Sequence, residues 1–499
     1  MKPFWTEATG EQNIETDVLI IGAGAGGAFA ALTLAEAGIQ TIMVEKGFHY
    51  SQRHVPADLA TAVAHVYEEG GFRTSNGDPP MPIAGGKGLG GSTLVNSAIC
   101  FQTPRSTLAH WNELSQGAFS DQESFYKVQE QVEEIMRVID TPDPLLSGND
   151  KAHKKASERL GWIGGNIRRN TPACGGCGRC NAICPIGGKN SVDRELLPRA
   201  AAAGAKIYTG AHISSLSING AQGTLYNRAQ EVVGSLNIKA KRIILAGGSI
   251  ATPSLLLSSG FDANNSQIGH GLHVHPVIST WAVLPEPVYA RGATQGHYVD
   301  QFADNKILLE SNPIIAGAFY QAFPVYGLEA KAFMRKGAHM VSTGALVRDE
   351  SEGRVYKPNG KANIQYSTND VDRKRLMEGL YRGAQLWFEG AGAESLSLSL
   401  FGGTICRNMD DVRKLLPEDL PSNRLVNYSS HPQASCRIGR ACDNNGKLKG
   451  YDNIYVMDAS VLPSNVGRNP QISVMTVVRI LAERFVEAQG KTVKPLLKT

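Results

Sequence analysis

Four cysteines, Cys174, Cys177, Cys180 and Cys184, followed by Pro185, stand in the order C-x-x-C-x-x-C-x-x-x-C-P, the spacing of a bacterial ferredoxin loop. Spacers of two residues let successive thiolates converge on one centre, and Gly175, Gly176 and Gly178 permit so tight a loop. No second run exists, so one iron-sulfur cluster, 3Fe-4S or 4Fe-4S, with three ligands or four, is the most this segment supports. Zinc also accepts four thiolates, although its usual pairs are less tightly spaced. A structural thiol group is the remaining alternative. Cys100, Cys406, Cys436 and Cys442 are scattered and read as buried or incidental thiols. Cysteines bunched in this way are no disulfide framework, and they argue for folding in a reducing compartment.

A second constellation is built of glycine. Gly22, Gly24 and Gly27 form G-x-G-x-x-G directly after the apolar run VLIIG and at the mouth of an Ala/Leu-rich stretch, and Glu45 closes the next apolar run. The first glycine allows the turn, the second lets a pyrophosphate approach the backbone, and the third lets helix pack on strand. The pyrophosphate then sits at a helix N-terminus, where free N–H groups and the positive dipole end collect. An acid at Glu45 bonds both ribose hydroxyls and repels a 2′-phosphate, which favours FAD or NAD over NADP.

The elements that must position these residues follow from periodicity. Residues 16–45 read as one βαβ unit with a stop at Gly38. Residues 79–104 hold too many glycines for helix or strand and form a loop entering a short helix. Phe125, Val128, Val132, Ile135, Met136 and Ile139 recur at helical spacing within 120–139. The run IILA at 243–246 ends at Gly247-Gly248 and leads through a turn into TPSLLLSSG. Between about 277 and 425 the texture changes to short apolar runs, turn signals such as KPNG and a helical stretch near 371–389. The last 70 residues return to strand, loop and an apolar-faced helix from Pro470 to about Glu487.

Composition excludes several classes. With 499 residues, 42% apolar and 19% charged, the chain suits a large globular enzyme, and a net charge of +4 spread over it leaves no nucleic-acid footprint. No apolar run approaches the ~18 residues of a membrane span. The opening MKPFWTEATGEQNIE carries acids and no apolar core, so the expectation is a cytoplasmic chain with no export signal of its own. Periplasmic or membrane-associated work would then need a partner that supplies the signal.

Four segments in order resemble the glucose-methanol-choline (GMC) family of FAD-dependent oxidoreductases. GGKGLGGSTLVN at 85–96 is similar to that family's first signature and GSIATPSLLLSSG at 248–260 to its second, with IGHGLHVHP at 268–276 resembling the stretch that follows. HPQASCRIG at 431–439 and the segment 451–485, from YDNIYVMD to ILAERF, resemble its C-terminal catalytic region. The resemblance implies an α/β fold: a discontinuous Rossmann-like FAD-binding domain from 14–115, 194–276 and 426–499, with an α+β substrate domain at 277–425 over the isoalloxazine. A helical connection with the Cys-rich insert fills 116–193.

For the site, the resemblance implies that Gly90, Gly91, Ser92 and Asn96 lie against the flavin and that Ile213 borders the adenine. It places Asp458 and Ala459 at the ribityl and pyrophosphate level, and Asn469, Pro470 and Gln471 beside the isoalloxazine. Oxidising an alcohol needs a base for the hydroxyl proton, and a neutral imidazole suits that task near neutral pH. A histidine before proline is by itself an ordinary structural residue, and only the resemblance makes His431 that base. The family's second residue at this place, His or Asn, matches Asn469, which cannot act as a base but can hydrogen-bond the oxygen as alkoxide character develops. Asn469-Pro470 also reads as an N-cap and first helical residue. His270, His273 and His275 read as structural rather than as metal ligands.

The segment ICPIGGKNSV at 183–192 also resembles the Cys-rich part of the iron-sulfur-bearing sugar and alcohol dehydrogenases of the family, although the cysteine spacing departs from theirs. The implied activity is oxidation of the CH–OH of a sugar, polyol or other alcohol, with hydride passing to flavin N5 and electrons leaving through the cluster. The acceptor would be a cytochrome c or a quinone, with a small accessory subunit as a further partner. The alternative is an alcohol or sterol oxidase that uses dioxygen with no working cluster.

Overall fold

The computed structural model describes residues 3–50, 58–71, 73–289, 291–312, 323–357 and 363–497. Of the KPNG turn signal, all but Lys357 lies outside these residues.

Two sheets organise the chain. The first runs in the order Thr6–Glu7, Lys206–Thr209, Thr41–Glu45, Gly10–Ile21, Val232–Leu245, Gly220–Tyr226, Ala211–Ser217, with Ile454–Val456 beside the end of Val232–Leu245. Its first five strands are parallel, and Val18, Leu19 and Ile20 are fully buried, as a β-branched run covered on both faces requires. The helix Ala25–Glu36 is apolar all round and buried along nearly its whole length, packed against the C-terminal helix Gln471–Ala488. This sheet therefore draws strands from the start, the middle and the end of the chain.

The second sheet is antiparallel, in the order Ile405–Cys406, Ser395–Leu398, Val277–Val283, Met340–Val347, Ile307–Ser311, His297–Val299, Gly164–Asn166. Its last strand comes from the stretch expected to be a helical connection, so that stretch also contributes an edge to the second sheet. The helix Asp370–Gln385 lies on one face, where Gly379 and Gly383 admit Ala345 and Thr280 so closely that a Cβ would overlap them. Ile278, Leu309, Val341, Ala345 and Val347 form the core beneath it. By strand alternation the opposite face carries Val277, Leu308, Leu346 and Glu310, with Tyr298 and Tyr428 directly across from Glu310 and Val277.

The expected helices near 120–139 and 371–389 are present as Gln122–Ile135 and Asp370–Gln385, the latter running on into a wider π turn at Leu386–Gly390. The C-terminal helix begins at Gln471, with Pro470 in the cap position and no side chain capping it. Asn469 is thus not the cap that its sequence context suggests, because the chain turns into the helix one residue later.

Candidate active site

The glycine loop ends strand Gly10–Ile21 and opens helix Ala25–Glu36, and Gly27 is fixed by packing: a Cβ there would lie 2.0 Å from the Gly22 carbonyl oxygen. Gly24 instead faces the first signature loop. A Cβ on Gly91 would come within 2.8 Å of the Gly24 Cα, and the two loops are tied by the Gly90 N–H on the Ala23 carbonyl at 3.0 Å. Two side-chain-free backbones thus meet at a helix N-terminus that no side chain caps, which is the cradle a pyrophosphate needs.

Glu45 is buried, and its carboxylate accepts backbone N–H groups from Ala23, Gly47 and Gly88 at 3.0, 2.9 and 3.0 Å. It therefore ties the glycine loop, its own strand end and the signature loop together where the ribose role was expected. Ile213 lies in Ala211–Ser217, whose approach at Gly210 donates to the Gly47 carbonyl at 3.1 Å. Ser92 is exposed and accepts from the Gly86 N–H at 3.1 Å. Asp458 is buried at the start of the helix Gly248–Ser258: one oxygen accepts from Gly248 N and Thr252 Oγ1 at 2.7 and 2.6 Å, the other from Ser460 N and Oγ at 2.8 and 2.5 Å. With four protein donors on it, Asp458 braces the second signature helix, while the Ala459 carbonyl accepts from Ala434 N.

The first signature meets the C-terminal helix through Asn96, whose Nδ2 donates to Gln471 Oε1 at 2.9 Å. Gln471 Nε2 in turn reaches the Ile99 carbonyl at 2.7 Å and Cys100 Sγ at 3.2 Å. Asn469 and Pro470 immediately precede this junction in the chain, and Asn469 is 8% exposed with its Oδ1 unpartnered.

His431 is half-buried, and burial pushes its imidazole down to about 4, so the ring is neutral above that value. Its Nδ1 lies 3.1 Å from Nδ1 of His275. The loops bearing His431 and Asn469 are tied by Gln433, which donates to the His431 carbonyl at 3.0 Å and accepts from the Val466 N–H at 3.1 Å. Against Asn469 lies Glu310, fully buried, with Gln295 Nε2 on its Oε2 at 3.3 Å and its Oε1 unpartnered. Burial pushes the Glu310 carboxyl up to about 7, against the pull of Asn469 and Arg468.

His275 and Glu310 are the two residues that sequence reasoning missed. His275-Pro276 repeats the dipeptide His431-Pro432, and Glu310 is an acid inside the otherwise apolar strand ILLES. Those were the signals available.

The four clustered cysteines are near neighbours but not a ligand set. Among the described residues no three His, Cys, Asp or Glu side chains come together so as to hold a metal. Cys174 is half-buried, Cys177 exposed, and Cys180 and Cys184 buried. The Cys180 Sγ is engaged by Arg169 Nη2 at 3.1 Å, and the same guanidinium holds the Ser97 carbonyl. Lys189 Nζ donates to the carbonyls of Leu94, Asn96 and Cys180 at 2.7, 3.0 and 3.0 Å. The thiolate type suits a cluster, but this arrangement of the thiols does not fit one.

Family models described as GMC oxidoreductase match the chain at residues 63–277 and 349–477, and one described as an FAD binding domain matches 17–57. An uncharacterized GMC-type oxidoreductase of Mycobacterium tuberculosis is 29% identical over 94% of this chain and 76% of its own length. A long-chain-alcohol oxidase of Arabidopsis thaliana is 29% identical over 95% of this chain and 68% of its own. Among solved structures, pyridoxine 4-oxidase superposes with a TM-score of 0.70 at 17% identity, covering 94% of this chain and 99% of that one. Formate oxidase of Aspergillus oryzae gives 0.70 at 16%, over 96% and 100%; both show a shared fold.

Proposed function

Since the chain belongs to the GMC oxidoreductase family and is an FAD-dependent oxidoreductase of CH–OH groups, we propose that its substrate is an alcohol with an apolar body and that dioxygen is its electron acceptor. The observation that carries the substrate reading is the sheet face on which Glu310 stands against Asn469. Val277, Leu308 and Leu346 are buried there, with Phe101, Tyr298 and Tyr428 packed on them. A sugar, with a hydroxyl on nearly every carbon, needs a polar partner for each, whereas the partly buried rings of Phe101, Tyr298 and Tyr428 offer an apolar surface that supports a hydrocarbon or aromatic chain.

Bound FAD supplies the two-electron acceptor for the hydride that leaves the carbinol carbon. The cradle at Gly24 and Gly91 and the open N-terminus of Ala25–Glu36 would hold its pyrophosphate. His431 takes the hydroxyl proton on Nε2, the nitrogen its contact with His275 leaves free. Asn469 hydrogen-bonds the substrate oxygen as negative charge develops on it. The buried setting raises the worth of both interactions.

The dioxygen assignment is supported by the long-chain-alcohol oxidase among the relatives and by thiols that do not converge. A route through a cluster to a cytochrome or quinone would need them at one centre.

Anaerobic mixing of the holoenzyme with 1-octanol, benzyl alcohol and glucose tests the reading. Bleaching of the flavin by the first two and not by glucose is expected, with peroxide released in air. His431→Ala should slow bleaching by about 10²-fold or more with FAD retained. Stoichiometric iron and acid-labile sulfide, without peroxide release, would return the acceptor to the cluster route. Bleaching by glucose alone would overturn the substrate class.

A further inference from the structure

We infer that His275 is a positioning residue for alcohol oxidation: by accepting the Nδ1 hydrogen of His431 it fixes the tautomer that leaves Nε2 of His431 bare towards the substrate. This rests on the assignment of His431 as base.

The geometry admits one hydrogen between two nitrogens. The Nδ1 atoms of His275 and His431 are 3.1 Å apart and the ring centroids 5.1 Å apart. Burial depresses both imidazoles, and His431 further depresses His275, so both rings are neutral and each carries a single N–H. If the shared hydrogen belonged to His275, His431 would carry its own on Nε2 and could accept nothing from an alcohol. Competence requires the reverse, with Nδ1–H of His431 donating to His275. A ring nitrogen's partner selects the tautomer of the whole imidazole, as a carboxylate does for many catalytic histidines.

His275 is held for this contact at a cost. It is fully buried, its backbone has φ of 51°, a left-handed conformation uncommon for a side chain of this size, and its Nε2 has no partner among the described residues. The competent tautomer places the single N–H hydrogen of His275 on that unpartnered atom. An uncompensated buried N–H of this kind persists where the surroundings over-determine it.

Asp349 is what over-determines it. This buried carboxylate accepts from the backbone N–H of His275 at 3.1 Å and of Val274 at 3.0 Å, from Tyr366 Oη at 2.9 Å and from Asn465 Nδ2. Burial opposes its charge, but His273 and these donors together hold the carboxyl below its ordinary value. Ser429 adds a second tie: its hydroxyl donates to the Val274 carbonyl and accepts the N–H of His431. One carboxylate and one hydroxyl thus lock the backbones on which the two rings stand. The charged groups acting on His275 are Asp349, Arg468 and Arg348.

His275→Phe keeps a ring of similar size and removes the acceptor; His275→Asn keeps an acceptor near the Nδ1 position and removes the ring. Limiting rates of anaerobic flavin bleaching, normalised to bound FAD, are compared. A positioning role predicts that the Phe variant falls by about 10²-fold with KM within about threefold, and that the Asn variant recovers at least tenfold of the loss. A packing role predicts the opposite order, and that order, or parental rates in both, overturns the inference. Should the Phe variant not retain FAD, the Asn variant decides alone: a rate within about tenfold of the parent supports the role, and a loss of 10²-fold removes it. Loss of bleaching in His431→Ala with no effect in His275→Phe would sink this inference only; bleaching that survives His431→Ala would sink the base assignment itself.

Discussion

Glu310 ties the chemistry to pH. A carboxyl pushed up to about 7 by burial beside Asn469 is protonated below that value, and one hydrogen on it can pair with the unpartnered Oδ1 of Asn469 once that amide is turned over. Ionised, it places a negative charge beside the oxygen on which the reaction develops another. The limiting rate should therefore decline above pH ~7, and Glu310→Gln, which mimics the protonated form, should keep its rate to higher pH. Stability moves the same way. The folded state holds this proton to about 7 and the unfolded state releases it near 4.5, so stability falls as pH rises through that window, by at most about 3 kcal/mol. Glu310→Gln removes that fall, which urea titrations at pH 5 and 8 would show. At this scale the sequence was only partly legible. Glycine spacing could be read because a tight strand-to-helix turn demands it, but His275 and Glu310 act through contacts between residues 156 and 159 positions apart, which no local pattern carries.

Among elements, the joint between the helix Gly148–Arg159 and the second sheet holds another buried histidine pair with the opposite pH dependence. His153 Nδ1 is 2.9 Å from His297 Nδ1, and His153 Nε2 is 2.9 Å from Thr343 Oγ1, whose hydrogen goes to the Glu310 carbonyl at 3.0 Å. The tautomers follow: His153 donates from Nε2 and accepts from His297. Burial depresses both rings, that of His297 to about 4. The unfolded chain then binds protons that the folded one refuses between pH 6.5 and 4, so stability is lost as pH falls through that window, by up to about 3 kcal/mol for His297. In the parent this slope opposes that of Glu310, and because burial also depresses His153, His275 and His431 the loss on the acid side should prevail. Glu310→Gln should steepen that loss and His297→Gln should reduce it; parallel curves for the two variants would refute the assignment. Helices were the legible elements, since their 3.6-residue periodicity is local. The start of the last helix was misjudged at Asn469 because the preferred capping residue is held instead against Glu310.

For the whole molecule, the legible part was that strands from distant segments share one sheet while the stretch of different texture between them builds a second. What sequence could not show is how the Cys-rich segment is joined to the flavin loop. Arg169 and Lys189, both fully buried, link Cys180 to the carbonyls of Leu94, Asn96 and Ser97 within the first signature and just beyond it. Burial pulls Lys189 down to about 8, and the nearby cysteines act against that pull. Two buried cations fastened to carbonyls on one side and to a thiol segment on the other make the two segments a single folding unit, because freeing either leaves the other's polar groups unpaired in the interior. Arg169→Met, which retains most of the volume, should therefore cost about 3 kcal/mol and loosen FAD together with the loop. Cys177→Ser, on an exposed thiol, should stay within about 0.5 kcal/mol. The check is a thermal melt followed by released flavin fluorescence and by circular dichroism. In the parent the two signals should coincide, and in Arg169→Met flavin release should precede loss of helix. If flavin release in that variant matches the parent while Cys177→Ser is the one that loses cofactor, the coupling runs through the exposed thiols and not through the buried cations.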